Sequence, residues 1–153
     1  MEKFQLPKLN LPPIEARIEE DADRLMIWDV VRKKLVALTP EEWVRQHFIH
    51  LLIHHLEYPA SLFKIEKGLT YNRMIKRSDI EVFDRQGKLF LLVECKAPEV
   101  SINQTTLKQA GTYNSKLKAP FLAITNGMKH HLWEFHSTGN SYTSRKEFPD
   151  FPD

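Results

Sequence analysis

Three charged residues carry the chemistry that this sequence could perform. Asp79 sits in the alternating segment Arg77-Ser78-Asp79-Ile80-Glu81-Val82-Phe83-Asp84, and Glu94 and Lys96 close the segment Leu89-Phe90-Leu91-Leu92-Val93-Glu94-Cys95-Lys96. The two segments flank Gln86-Gly87 and read as a β-hairpin. With a two-residue loop, Arg85 opposes Lys88, and the register then sets Asp79 opposite Glu94 and Arg77 opposite Lys96; a four-residue loop gives the same pairing. Directly opposed side chains have Cβ atoms about 4.5–5.5 Å apart, close enough for two carboxylates to grip one hard cation such as Mg²⁺. A divalent ion there would neutralise an anionic phosphodiester and lower the pKa of a bound water, with Lys96 orienting that water or stabilising developing charge. Two other readings stand beside this one. Glu94 and Lys96 can form an ordinary ion pair at a strand end, and a three-residue loop without a bulge would put Asp79 and Glu94 on opposite faces.

The elements around these residues must hold them in place. Ile80, Val82, Leu89, Leu91 and Val93 alternate away from the charged set and supply a packing surface. Thr39-Pro40-Glu41-Glu42 predicts a helix start with threonine as N-cap and proline at the first helical position, and Val44, Phe48, Leu51, Leu52 and His55 give that helix an apolar face ending near Tyr58-Pro59. Strands are expected near 62–67, 75–84 and 88–96. A polar helix follows near 103–116, and then two strands, 120–125 and 130–135, turn at Asn126-Gly127. Residues 25–38 look like a hairpin turning at Arg32-Lys33-Lys34 and covering one edge of the fold. The order predicts an α/β fold, a mixed β-sheet flanked by helices with an N-terminal β-hairpin extension. Its divisions are an extension over 1–38, the main domain over 39–148 and a loose tail over 149–153.

Composition sets bounds on function. The 153 residues fit one domain, and the single cysteine, Cys95, excludes an internal disulfide. With no long apolar run and no hydrophobic leader, a cytoplasmic protein is expected. The formal net charge of +2 does not announce a polyanion partner, yet residues 64–77 hold five basic residues and one acidic one, which suits either a solvated surface or nucleic acid. Among the seven histidines, His54-His55 and His130-His131 are adjacent pairs that make no ready chelate. His47, His50 and His54 can approach one another on a helix but lack companions at zinc spacing, so they read as structural or surface residues.

Asp79 followed across a strand turn by Glu94-Cys95-Lys96 resembles the PD-(D/E)xK nuclease signature. Thr39-Pro40-Glu41-Glu42-Trp43-Val44-Arg45-Gln46, Arg77-Ser78-Asp79-Ile80, Val93-Glu94-Cys95-Lys96-Ala97-Pro98, Gln109 with Tyr113, and Thr125-Asn126-Gly127 together resemble the N-terminal nuclease domain of type I restriction enzyme R subunits, from about Thr39 to Phe135. The resemblance implies a restriction-endonuclease-like fold, metal binding by Asp79 and Glu94, and catalysis by Asp79, Glu94 and Lys96. It also implies a role for Gln109 and Tyr113, four residues apart on one helix face, in touching DNA or bracing the site; packing of the helix on the sheet is the alternative. Ser78 stands where the signature has proline, which supplies no ligand. An upstream glutamate often completes such a site. At about 100° per residue Glu41 falls beside the Val44–Phe48 face while Glu42 points away, so Glu41 is the candidate, with an ion pair to Arg45 as its alternative.

The function expected from these residues is a Mg²⁺- or Mn²⁺-dependent DNA endonuclease of the type I restriction R-subunit kind. The sequence has no G-x-x-x-x-G-K-[ST] phosphate loop, so no motor is expected within it. The alternative is a non-catalytic DNA-binding or assembly module of a restriction complex. DNA and motor or specificity subunits are the expected partners, with Arg77 beside the site and no membrane involved.

Overall fold

The computed structural model describes residues 6–65, 69–71, 74–76, 80–136, 138 and 141–153, with backbone alone for 69–71 and 74–76. Asp79, Arg77 and Ser78 therefore lie outside the described residues, and so does the expected facing of Asp79 and Glu94. Among the described residues the chain forms a six-stranded mixed sheet, a three-stranded N-terminal sheet, a separate two-stranded hairpin and two α-helices.

The N-terminal sheet contains β1 (Ile18–Asp21), β2 (Arg24–Asp29) and β3 (Lys34–Ala37), all antiparallel. The expected hairpin is thus β2–β3, with Asp29 paired to Lys34, and β1 adds a third strand that the acidic composition of Ile18-Glu19-Glu20-Asp21 had hidden. Helix α1 (Pro40–His50) begins as its sequence demands. The Glu42 N–H donates to Thr39 Oγ1 at 3.0 Å, and Pro40 occupies a position where its missing N–H costs nothing. A π-helical turn, Leu51–His55, follows, closed by the Leu56 N–H to the Leu51 carbonyl at 3.1 Å. Val44, Phe48 and Leu52 are buried as expected. His55, expected on that apolar face, is exposed instead, because the wider turn that it ends carries it out of the 3.6-residue phase.

The main sheet runs in the order β11 (Ser141–Arg145), β10 (His130–His136), β9 (Phe121–Thr125), β8 (Leu89–Cys95), β7 (Ile80–Phe83), β4 (Phe63–Lys64). Only β8 and β9 are parallel, joined by helix α2 (Gln104–Leu117) as a β-α-β crossover. The segment expected as one strand over 75–84 is divided. Its first part joins the hairpin β5 (Leu69–Tyr71) and β6 (Met74–Lys76), and its second part is β7. Strand β11 was not expected, since Ser-Tyr-Thr-Ser-Arg offers a single apolar residue.

Helices α1 and α2 cover opposite faces of this sheet. Val44, Phe48, Ile49 and Leu52 meet Ile80, Val82, Leu91, Val93 and Ala123 on one face, while Ala110 meets Leu92, Leu122 and Ile124 on the other. A strand covered on both faces needs apolar residues at odd and even positions alike, which is why 89–93 is a continuous hydrophobic run. Asn114, fully buried near the end of α2, exchanges hydrogen bonds with the Ala119 backbone at 3.0 and 3.1 Å and so fixes the entry into β9.

The tail, expected to be loose, packs. Phe148 and Phe151 lie against the α1-side core, the Phe151 ring is 5.5 Å from Tyr58 and 5.8 Å from Phe90, and the Tyr58 hydroxyl donates to the Pro149 carbonyl. Phe151 within the tail and Phe148 just before it bury enough surface to hold a short segment down.

The turn between β9 and β10 carries a sharp steric constraint. Gly127 has φ +86°, and a Cβ there would stand 2.9 Å from Leu9 Cδ2 and 3.1 Å from Val44 Cγ2. Gly127→Ala is expected to cost about 1–3 kcal/mol through strain and overpacking, read as a lower denaturant midpoint with an unchanged slope.

Candidate active site at the end of strand β8

The geometry of the site begins with the β7–β8 hairpin. Ile80 pairs with Val93, Glu81 with Leu92 and Val82 with Leu91, the register expected from the sequence, but Phe83 then pairs with Leu89. The loop holds three residues, not two or four. The Asp84 N–H donates to the Lys88 carbonyl at 2.7 Å, Gly87 takes φ +83°, and Asp84 Oδ1 accepts from the Gln86 and Lys88 N–H groups at 2.9 Å each. Arg85 accordingly lies in the loop rather than opposite Lys88. One extra residue in β8, Phe90, forms a bulge that restores the parity the odd loop would have broken. The bulge also exchanges two side chains. Phe90 joins the α1-side core and Leu89, expected there, packs on the α2 side.

Beyond the bulge, Glu94 and Lys96 follow Leu92 on the α2 face. Lys96 Nζ stands 3.5 Å from Glu94 Oε1, and their side chains are 30% and 20% exposed, so both reach solvent at the rim of the core. The Lys96 backbone is fixed by its N–H to the Thr125 carbonyl at 2.8 Å, which continues the β8–β9 ladder past Cys95. This is the carboxyl end of the two parallel strands, where open α/β sheets gather ligands. Glu81, 9% exposed and paired with Leu92 across the hairpin, is a second carboxylate on the same face. Sequence reasoning passed over it, although its two-residue step from Asp79 was the available signal. Oxygen-only donors of this kind suit Mg²⁺. Among the described residues no group of three or more His, Cys, Asp or Glu side chains has metal-holding geometry.

The other candidates are distributed around this point. Gln109 is exposed on α2, and Tyr113 packs beside Leu92 in the α2-side core. Glu41 is 22% exposed and its Oε1 meets Arg45 Nη2 at 3.2 Å, the i,i+4 ion pair. Glu42, expected to point away, is instead 5% exposed and bonded by Arg32, Arg45 and Gln46. The side of α1 remote from the main sheet is covered by the N-terminal extension, which supplies Arg32 as counter-charge.

The histidines on α1 do structural work. His47 Nδ1 lies 2.8 Å from the Trp43 carbonyl, and burial holds the His47 pKa below its usual value despite that bond. Burial, then the neighbouring His54 and His47, likewise lower His50, whose ring is 5.1 Å from His54. Of the basic residues between 64 and 77, Lys64 is exposed on β4, while Lys67, Arg73 and Arg77 lie outside the described residues.

The family model for the N terminus of type I restriction enzyme R proteins matches residues 40–149. A solved fragment of a putative HsdR subunit of a type I restriction enzyme from Vibrio vulnificus YJ016 is 24% identical, the match covering 58% of this chain and 17% of that chain at a TM-score of 0.36. No curated protein matches the chain. No helix among the described residues is long and apolar enough to cross a membrane.

Proposed function

The chain belongs to the family of type I restriction enzyme R protein N termini, and we propose that its folded core is a Mg²⁺-dependent DNA-cleaving module of the PD-(D/E)xK kind. The observation that carries this reading is the placement of Glu94 and Lys96 within 3.5 Å of each other on one face, half-exposed, at the carboxyl end of a strand buried on both sides. A carboxylate and an ammonium so placed hold opposite charges ready at the same rim without desolvating either completely.

In this reading Asp79 and Glu94 would hold the divalent ion, and Glu81 shares the α2 face with Glu94. When bound there the ion supplies charge neutralisation at the phosphate and a more acidic water. Lys96 aims its ammonium at the developing negative charge and at the attacking oxygen, and the Thr125 carbonyl keeps its backbone in register. Gln109 and Tyr113 present the polar flank of α2 to the duplex or brace the site, and Arg77 meets phosphate. DNA and the other subunits of a restriction complex are the partners this reading requires.

The experiment is a plasmid assay paired with calorimetry. Purified protein is expected to nick supercoiled DNA with Mg²⁺ or Mn²⁺ and not in EDTA, and the titrated ion to bind wild type but not Asp79→Ala. Ion binding without cleavage would favour an assembly module over a nuclease, and nicking that Asp79→Ala leaves intact would overturn the site.

A further inference from the structure

A second surface on the α2 face has a different chemistry. Odd-numbered residues of β10 point to that face, so His131, Trp133 and Phe135 form a row along one strand, and Tyr142 of β11 pairs with Phe135. The His131 and Trp133 rings are stacked, 5.6 Å apart at 7°, and Phe135 and Tyr142 lie 5.0 Å apart. All four are half-exposed. Helix α2 covers them only in part: the Tyr142 hydroxyl donates to the Gly111 carbonyl at 3.4 Å and accepts from Asn114 Nδ2 at 3.3 Å, while every ring of the row keeps some exposure. Between it and β9–β11 runs an open groove of about 770 Å³, with Trp133, Phe135 and Tyr142 on the sheet side and Lys108, Gly111 and Thr112 among the residues of its helix side. That volume is within the range of about 300–1,000 Å³ in which proteins hold ligands of modest size.

Charge and backbone both point to the occupant. Helix α2 carries Lys108 and Lys116 and no acidic residue, and Lys118 caps it. The groove's lining has one charged side chain among the described residues, the cationic Lys108. Gly111 lies in the helix interior, where glycine costs about 1 kcal/mol relative to alanine. Packing does not demand it, since an added Cβ would meet only Tyr142 Cε2 at 3.9 Å, an ordinary contact. A methyl added there would line the groove against Tyr142 and narrow it without a clash. Side chains two residues apart on a strand leave the backbone about 6.8 Å apart, on the order of twice the roughly 3.4 Å step of stacked bases, although the His131 and Trp133 rings lean together to 5.6 Å. Partly exposed flat rings along one strand beside a cationic helix fit unpaired bases with their phosphates toward Lys108.

We infer that this groove binds single-stranded nucleic acid, its bases stacking on Trp133 and Phe135. The surface is separate from Glu94 and Lys96. Ile124 of β9 stands between Glu94 and His131 in the cross-strand row, and α2 rises over that row. A strand held here leaves the β8 end accessible to duplex DNA.

The test is fluorescence anisotropy of a labelled oligothymidylate of about 12 nucleotides with the full chain in EDTA. Working without metal silences the chemistry of the β8 end, and plasmid nicking run in parallel shows whether the cleavage reading stands or falls independently. Trp133→Ala is expected to weaken binding at least about tenfold, and Trp133→Phe to retain most of it. Lys108→Glu is expected to weaken binding and flatten its decline between about 50 and 200 mM salt. Gly111→Ala is the decisive variant. It is expected to leave melting temperature unchanged or raised while lowering affinity several-fold, a combination that a destabilised fold cannot produce. The proposal is overturned if Gly111→Ala and Lys108→Glu both bind like wild type, if a duplex of equal length binds as tightly, or if a polyglutamate peptide binds better than the oligonucleotide.

Discussion

Lys96→Ala and Glu94→Ala are each expected to lower metal-dependent DNA nicking by at least about 100-fold, while melting temperature moves by only a few degrees. The two magnitudes separate the active-site reading from the plain ion pair. Both side chains are partly solvated, and their charges meet at 3.5 Å. A pair at such a rim contributes about 0–1 kcal/mol to stability. A preorganised charge that acts in the transition state is worth about 10²–10³ in rate. If the pair were merely structural, the variants would lose a little stability and no specific activity. Lys96→Arg sharpens the distinction, because a planar guanidinium keeps the charge but not the compact ammonium, so activity stays low although the ion pair survives. Calorimetry on the same proteins divides the two roles. Lys96→Ala is expected to retain ion affinity and Glu94→Ala to lose it. Undiminished nicking by both variants would remove the β8 end from consideration.

The position of this pair was legible because strand parity is a binary quantity. Glu94 and Lys96 lie an even number of residues from Leu92, so any reading that places Leu92 correctly places them as well. The route to that parity was not legible. A three-residue loop and the single-residue bulge at Phe90 each reverse the faces, and together they cancel. Nothing in the composition of Leu89-Phe90-Leu91 marks which of three large apolar residues is the extra one, since all three find a core on one side or the other. Leu89 and Phe90 exchanged sides for that reason.

Elsewhere the sequence was silent where tertiary contacts overrode local pattern. Glu42 looked like a capping residue on a solvent-facing helix flank. Its N–H does meet Thr39, but its carboxylate is buried beneath a strand turn from a segment ten residues upstream. Strand β1 turns through Ala22 and Asp23, both at positive φ (48° and 69°), without the Asn-Gly or Asp-Gly signal that announces such hairpins. Strand β11 is an edge strand with one apolar residue, and its existence rests on pairing with β10. The aromatic alternation of His131, Trp133 and Phe135 could be read directly, but whether a helix covers it depends on where α2 lies across the sheet.

Asp29→Ala is expected to destabilise the protein by about 3–5 kcal/mol, the largest single effect on folding. Asp29 is wholly buried, in the β2–β3 turn of the N-terminal extension. Its Oδ1 accepts from the Val31 and Arg32 N–H groups at 2.7 and 2.8 Å, and its Oδ2 accepts from Arg32 Nε at 2.6 Å and Gln46 Nε2 at 3.0 Å. Arg32 Nη2 continues to both oxygens of Glu42 at 3.1 Å, and Gln46 Nε2 also reaches Glu42 Oε2 at 2.9 Å, so one carboxylate locks the extension to α1. Removing it takes the acceptor from the Val31 and Arg32 N–H groups and leaves Arg32 and Gln46 with Glu42 alone, a penalty well above that of an exposed pair. The pH dependence has a definite sign. Burial raises the Asp29 pKa, but the hydrogen bonds from Arg32 and Gln46 and the charge of Arg32 outweigh burial and hold it below 3.8. A carboxylate more acidic folded than unfolded contributes stability that is complete above the unfolded value of about 3.9 and is lost as pH falls through the folded value. The stability gap between wild type and Asp29→Asn is therefore constant from neutral pH down to about 5 and narrows only in strong acid. Urea denaturation across that range measures it, and a gap that narrowed near neutrality would assign the cost of the substitution to some group other than Asp29.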